Sequence, residues 1–229
     1  MSAMLTFLPA LPGHAAGQFT PPAGCRLEVT VQNRGCTVSQ HFRCDADPEG
    51  YQRSAIFSQD GLTYLSVIDA ETRWIESASP TVGMTDTLED EAEAHASLSR
   101  LIETGRDDFD FWTVSNSGER LHHQGWDELT GETVIIDGVE LEQTRFQLTT
   151  RFENGETMLT RSGQQFISRV MGRFYGGVET STDWTGATVN SNDSPVTFAF
   201  PGKPGFGSIT PQYDCDMLMT QLSQGKARL

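Results

Sequence analysis

TVIIDGVELEQTRFQLTTRFENGETMLTR, residues 133–161, decides the fold. Asp137-Gly138 and Asn154-Gly155 divide it into three runs in which apolar and polar side chains alternate. Period-two alternation puts successive side chains on opposite faces of a strand. Asp-Gly or Asn-Gly between such runs is the strongest local signal for a hairpin. The stretch therefore reads as three antiparallel strands. Around Asn154-Gly155, Phe152 faces Thr157, Thr150 faces Leu159 and Leu148 faces Arg161. Phe146, Leu148, Phe152 and Leu159 then share one face, and Arg145, Gln147, Thr149 and Arg151 the other. Around Asp137-Gly138, Val134, Ile136, Val139 and Leu141 share a face. Apolar positions are thus odd near residue 140 and even after 146, and a β-bulge near Gln143-Thr144 accounts for the switch. A long, bent sheet covered on one side curls. The expected fold is mainly β with minor α: a curved antiparallel meander or half-barrel with one helix packed against it.

The same reading extends outward. Upstream lie Phe109 to Val114, a turn at Asn116-Ser117-Gly118, and Glu119 to His123, with interruptions at Gly125 and Thr130-Gly131. Downstream lie Thr157 to Arg161, a turn at Ser162-Gly163, and Gln165 to Tyr175, ended by Gly176-Gly177. Residues 180–195, rich in Ser, Thr, Asn and Asp, read as loop, and Val196 to Phe200 as a short strand. Nearer the start, Ser54 to Ser58, Leu62 to Ile68 and Arg73 to Ser77 are strands. The helix is marked by Leu98, Leu101 and Ile102, with Thr87 as cap, Asp90 three residues on, acids through its first turn (Glu89, Asp90, Glu91, Glu93) and Gly105 at its end. Capping explains those acids without a calcium site.

Cys25, Cys36, Cys44 and Cys215 form no C-x-x-C pair, which argues against a zinc ribbon or a thioredoxin-like site and for disulfides in an oxidising compartment. With Arg34-Gly35 as a hairpin turn, Leu27 faces Phe42, Val31 faces Val38 and Cys25 faces Cys44. The expected pairs are Cys25–Cys44 and Cys36–Cys215. Met4 to Leu11 is a short apolar run followed by small residues at Ala15 and Gly17. Residues 1–17 therefore read as a secretory signal lacking its basic start, and residues 18–229 as a single mainly β domain. The expected location is the periplasm or the exterior.

The 229 residues carry 31 carboxylates against 16 Lys and Arg, a net charge of −15. Such a surface repels phosphate backbones and argues against nucleic acid as a partner. At 37% apolar residues, with no stretch of transmembrane length, the chain does not read as membrane-spanning. No nucleophile elbow, His-Glu-x-x-His or Walker loop is present. Among His14, His41, His95, His122 and His123, only His122-His123 cluster, and adjacent strand residues point apart. Neither a metal nor any other cofactor is expected, and the chain reads as non-enzymatic.

Aromatic residues are the remaining lead. Trp112, Trp126, Phe109, Phe146 and Phe166 fall in or beside the meander. They either fill a core or line an apolar cavity on a concave face. Over residues 108–176 the rhythm Val134-Ile-Ile-Asp-Gly-Val, Asn154-Gly-Glu, Ser162-Gly resembles that of exported lipoprotein-carrier half-barrels, and the chain as a whole is similar to exported bacterial proteins. The resemblance carries no functional residue across. It implies an apolar or lipid-like ligand held in the curved sheet. The alternatives are an envelope protein-interaction module with a solid core, and a hydrolase with a Ser or carboxylate beside His41, His122 or His123.

Overall fold

A computed structural model of the chain describes residues 17–216; residues 1–16, which hold nearly all of the expected signal, and His14 with it, lie outside the described residues. The elements are β1 (Cys25–Asn33), β2 (Thr37–Cys44), β3 (Gln52–Ser58), β4 (Gly61–Ile68), β5 (Trp74–Ser79), β6 (Met84–Leu88), α1 (Leu98–Thr104), β7 (Arg106–Ser115), β8 (Arg120–Ile136), β9 (Val139–Phe152), β10 (Thr157–Ser168), β11 (Arg173–Tyr175), β12 (Val178–Asp183), β13 (Thr188–Asn192) and β14 (Pro195–Ala199). All strands join one antiparallel sheet, ordered β13-β12-β10-β9-β8-β7-β6-β5-β4-β3-β2-β1-β14, with β11 also paired to β10.

The connectivity forces this sheet to curl. Its edges are β13 and β14, yet only Asp193 and Ser194 separate them in the chain. Three Cα steps span at most about 11 Å, so the two edges converge at that end without pairing. Phe198 N–H on β14 donates to Asp137 Oδ2 at the β8–β9 turn (2.8 Å). Val29, Val31 and Phe198 pack with Leu141, Phe166 and Tyr175 in one buried cluster, joining one end of the strand order to the other.

The curl also explains the shift in apolar parity along β9. No bulge is needed on that strand, because its pairing with β10 is regular from Thr150↔Leu159 to Glu142↔Ile167. The irregularity lies opposite, on β8 between Leu129 and Thr133. Even positions of β9 pack on one face, where Phe146 and Leu148 meet Phe109 and Phe111. Odd Leu141 packs on the opposite face against β1 and β14. Each face of the strand is buried at a different end.

Other expectations are corrected. The Asn154-Gly155 hairpin pairs Thr157 with Arg151, and the predicted register begins at Leu159. Gly125 and Thr130-Gly131 do not break the strand, since β8 runs unbroken through them. Ser162-Gly163 is no turn: β10 continues to Ser168, and Gly163 is required because a Cβ there would strike the β12 backbone at Val178 and Glu179. Residues 180–195 are not loop but hold most of β12 and all of β13. Thr87 lies in strand β6. The helix starts only at Leu98, capped by Ser97, whose Oγ accepts from Arg100 N–H, and carries no acid in its first turn. Glu89 instead pairs with Arg120 (2.7 Å), while Glu71, from the β4–β5 connection, accepts from Ser97 Oγ and from Ser99 N and Oγ at the helix start. Leu98 and Leu101 pack on Ile167, Leu129 and Phe174, which holds the helix against the sheet.

Both disulfides, Cys25–Cys44 and Cys36–Cys215, are formed. The first hairpin turns through three residues, Arg34, Gly35 and Cys36, so Val31 faces Ser39 rather than Val38. A bulge at Glu28 absorbs the one-residue offset and restores Leu27↔Phe42 and Cys25↔Cys44. The second disulfide ties the segment ending at Cys215 to that hairpin, beside an Arg34–Asp214 ion pair (3.1 Å). The described helix is too short to cross a membrane.

Candidate functional site

The concave face of the sheet holds a cleft of about 470 Å³. Its floor follows from strand parity. Phe109 and Phe111 alternate with outward Asp110 and Trp112 on β7, and Phe146 and Leu148 do the same on β9. Gly125 on β8 stands between Phe109 and Leu148. A Cβ at Gly125 would lie 2.9 Å from Phe109 Cζ and clash with the Gln147 carbonyl, so glycine lets the Phe109 ring lie flat across β8. β4 and β5 supply a wall of Tyr64, Ile68, Trp74 and Glu76, and the β10–β11 end closes over with Gln165, Arg173 and Phe174. Trp74 on β5 meets Phe111 on β7 edge-on at 5.7 Å, across the intervening β6.

Four charged side chains line this aromatic space: Glu76, Asp127, Arg161 and Arg173. Arg161 is neutralised by a two-pronged bond to Glu179 (2.7 and 2.6 Å). Asp127 stands opposite Asp107 on β7 and Phe146 on β9, and its carboxylate accepts no hydrogen bond among the described residues. Burial, with the Asp107 charge adding to it, pushes its carboxyl up to about 7. Arg173 is 7% exposed, and burial lowers it to about 10, which still leaves it charged at neutral pH.

The five aromatic residues singled out from sequence go to different places. Phe109 and Phe146 line the cleft. Trp126 lies on the outer face under the Arg106 guanidinium (4.6 Å), beside a shallower groove of about 420 Å³ with Asp110 and Gln147. Trp112, also outward, stacks on His122 at 4.5 Å with Arg120 above it. Phe166 is buried in the β1–β14 cluster. Strand parity from Phe109 and Phe146 would have found Phe111 and Leu148. Asp127 follows from the β8–β9 pairing, since it stands opposite Phe146, whereas Trp74, Phe174 and Arg173 carry no such signal, because they come from strands that pair with neither β7 nor β9.

Of the three histidines named for a hydrolase, His122 has a carboxylate beside it. His122 Nε2 meets Asp110 Oδ1 at 2.5 Å on the outer face, and among the described residues no hydroxyl or thiol bonds its other nitrogen. His123 points inward between Thr113 and Thr150 (2.9 and 3.1 Å), and burial, followed by the charges of His122 and Arg161, lowers it to about 4. His41 is buried with neither ring nitrogen hydrogen-bonded, and is held well below the usual histidine range by burial and then by Arg173. Among the described residues, no group of three His, Cys, Asp or Glu side chains is placed to hold a metal ion. Compared with known proteins, the chain matches no protein-family model, no curated protein and no solved structure.

Proposed function

We propose that this is an exported, non-enzymatic β protein of the periplasm or exterior that holds an apolar, lipid-like ligand in its concave cleft. The observation that carries the reading is the cleft itself. At about 470 Å³ it is large enough for a small ligand, and its floor of Phe109, Phe111, Phe146 and Leu148 is apolar within a lining that also holds Ser66, Thr72, Ser77 and Gln165. Two disulfides fit an oxidising compartment, and a cross-linked shell suits a protein that must keep an unfilled apolar space open. The test uses the oxidised full chain and the neutral probe N-phenyl-1-naphthylamine, whose fluorescence rises on entering an apolar site. Saturable binding that is weakened by Phe111→Asp supports the reading. Absence of saturable binding rejects it.

The protein-interaction reading is favoured by one feature. Every residue of edge strand β13 is exposed, and Trp184 and Val189 beside or on it are 72% and 61% exposed. An unpaired edge is a template for a partner strand. Val189→Asp would abolish such an association while leaving probe binding in the cleft intact. An unchanged association would rule the edge out.

A further inference from the structure

We infer that the cleft takes an amphiphile with a single carboxylate head, seated on Arg173, and an apolar body on the aromatic floor. This rests on the cleft being a ligand site and adds the ligand's charge and orientation. Arg173 is a buried cation without an ion pair: Glu28, whose charge reaches it, is engaged by Arg26 and Arg43. Its one side-chain hydrogen bond runs from Nη1 to Gln52 Oε1 at 3.4 Å, and Nε has no partner. The Tyr175 ring, 5.8 Å from the guanidinium carbon, lies at the outer limit of cation–π range and accepts nothing from Nε. The other arginine of the cleft shows the contrast, since Glu179 occupies both prongs of Arg161. A desolvated, unpaired guanidinium is costly to keep, and removing that cost is what a bound anion would do. The planar guanidinium fork suits a carboxylate or phosphate oxyanion.

The rest of the cleft limits the head to one charge. Asp127 and Glu76 line the same space, so a dianionic phosphate monoester would meet two carboxylates for one unpaired cation. Phe109, Phe146 and Phe174 extend from the Arg173 end as the apolar surface for a chain or ring.

The experiment displaces N-phenyl-1-naphthylamine from the oxidised full chain with dodecanoate, its methyl ester and dodecyl phosphate. Expected is at least tenfold tighter binding of dodecanoate than of the ester, with dodecyl phosphate weaker than dodecanoate. In Arg173→Met the acid-to-ester ratio should fall to about one, and in Arg173→Lys part of it should return. Because the ligand series in the unaltered protein decides the question, a variant that fails to fold does not remove the test. Equal affinity for acid and ester overturns the carboxylate assignment while leaving the apolar cleft standing. Dodecyl phosphate binding more tightly than dodecanoate overturns the single-charge argument. No displacement of a bound probe by any of the three overturns the assignment, and no probe binding at all removes the cleft reading beneath it.

Discussion

Asp127→Asn is expected to make the protein more stable at pH 8 and to leave it nearly unchanged at pH 4. The carboxylate faces the cleft beside Asp107 and Phe146 with no hydrogen bond to favour its charged form. Burial, then Asp107, raises it to about 7 from an ordinary 3.8. A raised acid pKa means that the folded state holds the proton more tightly than the unfolded one. Stability is therefore greatest below the unfolded value and falls as pH climbs from about 4 to about 7, after which the loss is complete. The full displacement corresponds to about 4 kcal/mol. Asp127 is only half-buried and water reaches the cleft, so we expect about 2 kcal/mol. Urea unfolding followed by tryptophan fluorescence, at half-unit steps from pH 4 to 8.5, gives the difference between variant and wild type. Asp86, Asp193, His41 and His123 titrate in both proteins and cancel. Asp107 is relieved of a neighbouring charge in the variant, which adds in the same direction. A difference that is flat above pH 5 would refute the reasoning, because it would mean that Asp127 ionises as an ordinary surface acid.

Other expectations follow from single contacts. Breaking Cys36–Cys215, which closes 179 residues, should cost about 5 kcal/mol, and breaking Cys25–Cys44, which closes 19, about 3; urea midpoints of the two paired-serine variants that ranked the other way would contradict the loop-closure account. Gly125→Ala should cost about 3 kcal/mol and weaken probe binding, because its Cβ displaces Phe109; a calorimetric melting temperature equal to wild type would show that β8 can yield there. Glu71→Ala removes the acceptor for Ser97 and Ser99 at the helix start and should cost about 2 kcal/mol. Faster amide exchange confined to residues 98–104 is its signature, and unchanged exchange would assign the helix to packing alone.

The parts legible in the sequence are those set by turn chemistry. Asp137 takes φ 49°, as the first centre of the expected tight turn must, and the pairing of β9 with β10 follows the predicted register from Leu159 onward. The helix start is not legible, because acids near residue 90 suit a first turn and suit ion pairs equally well, and Arg120 claims Glu89. β12 and β13 left no hydrophobic period to read. Their cross-strand contacts are polar, Thr180 to Asn190 and Thr182 to Thr188, and all of β13 is in water. Backbone ladders form there without any apolar pattern to announce them. The cysteine pairing was reached although the turn is one residue longer than expected, because the bulge at Glu28 restored the register.

The cleft was illegible for a reason of its own. Period two assigns Leu141 and Phe146 to opposite faces of one strand, and sequence reasoning, assuming one covered face, needed a bulge to reconcile them. The two-residue link from β13 to β14 removes that need by drawing the sheet's edges together, so that β1 and β14 cover the Leu141 face at one end while the concavity covers the Phe146 face at the other. A sheet curled this tightly needs its concave space filled. The seven-residue helix α1 packs over only part of it, around Leu129, Ile167 and Phe174. The space between Trp74, Phe111 and Phe146 is left over, and the chain puts there an unpaired guanidinium and an unpaired carboxyl, groups that a stability-driven core would exclude. Lost stability of this kind, localised where the fold leaves room, is the physical reason to look for a ligand in the concavity and not at the aromatic pair Trp112 and Trp126 on the outer face.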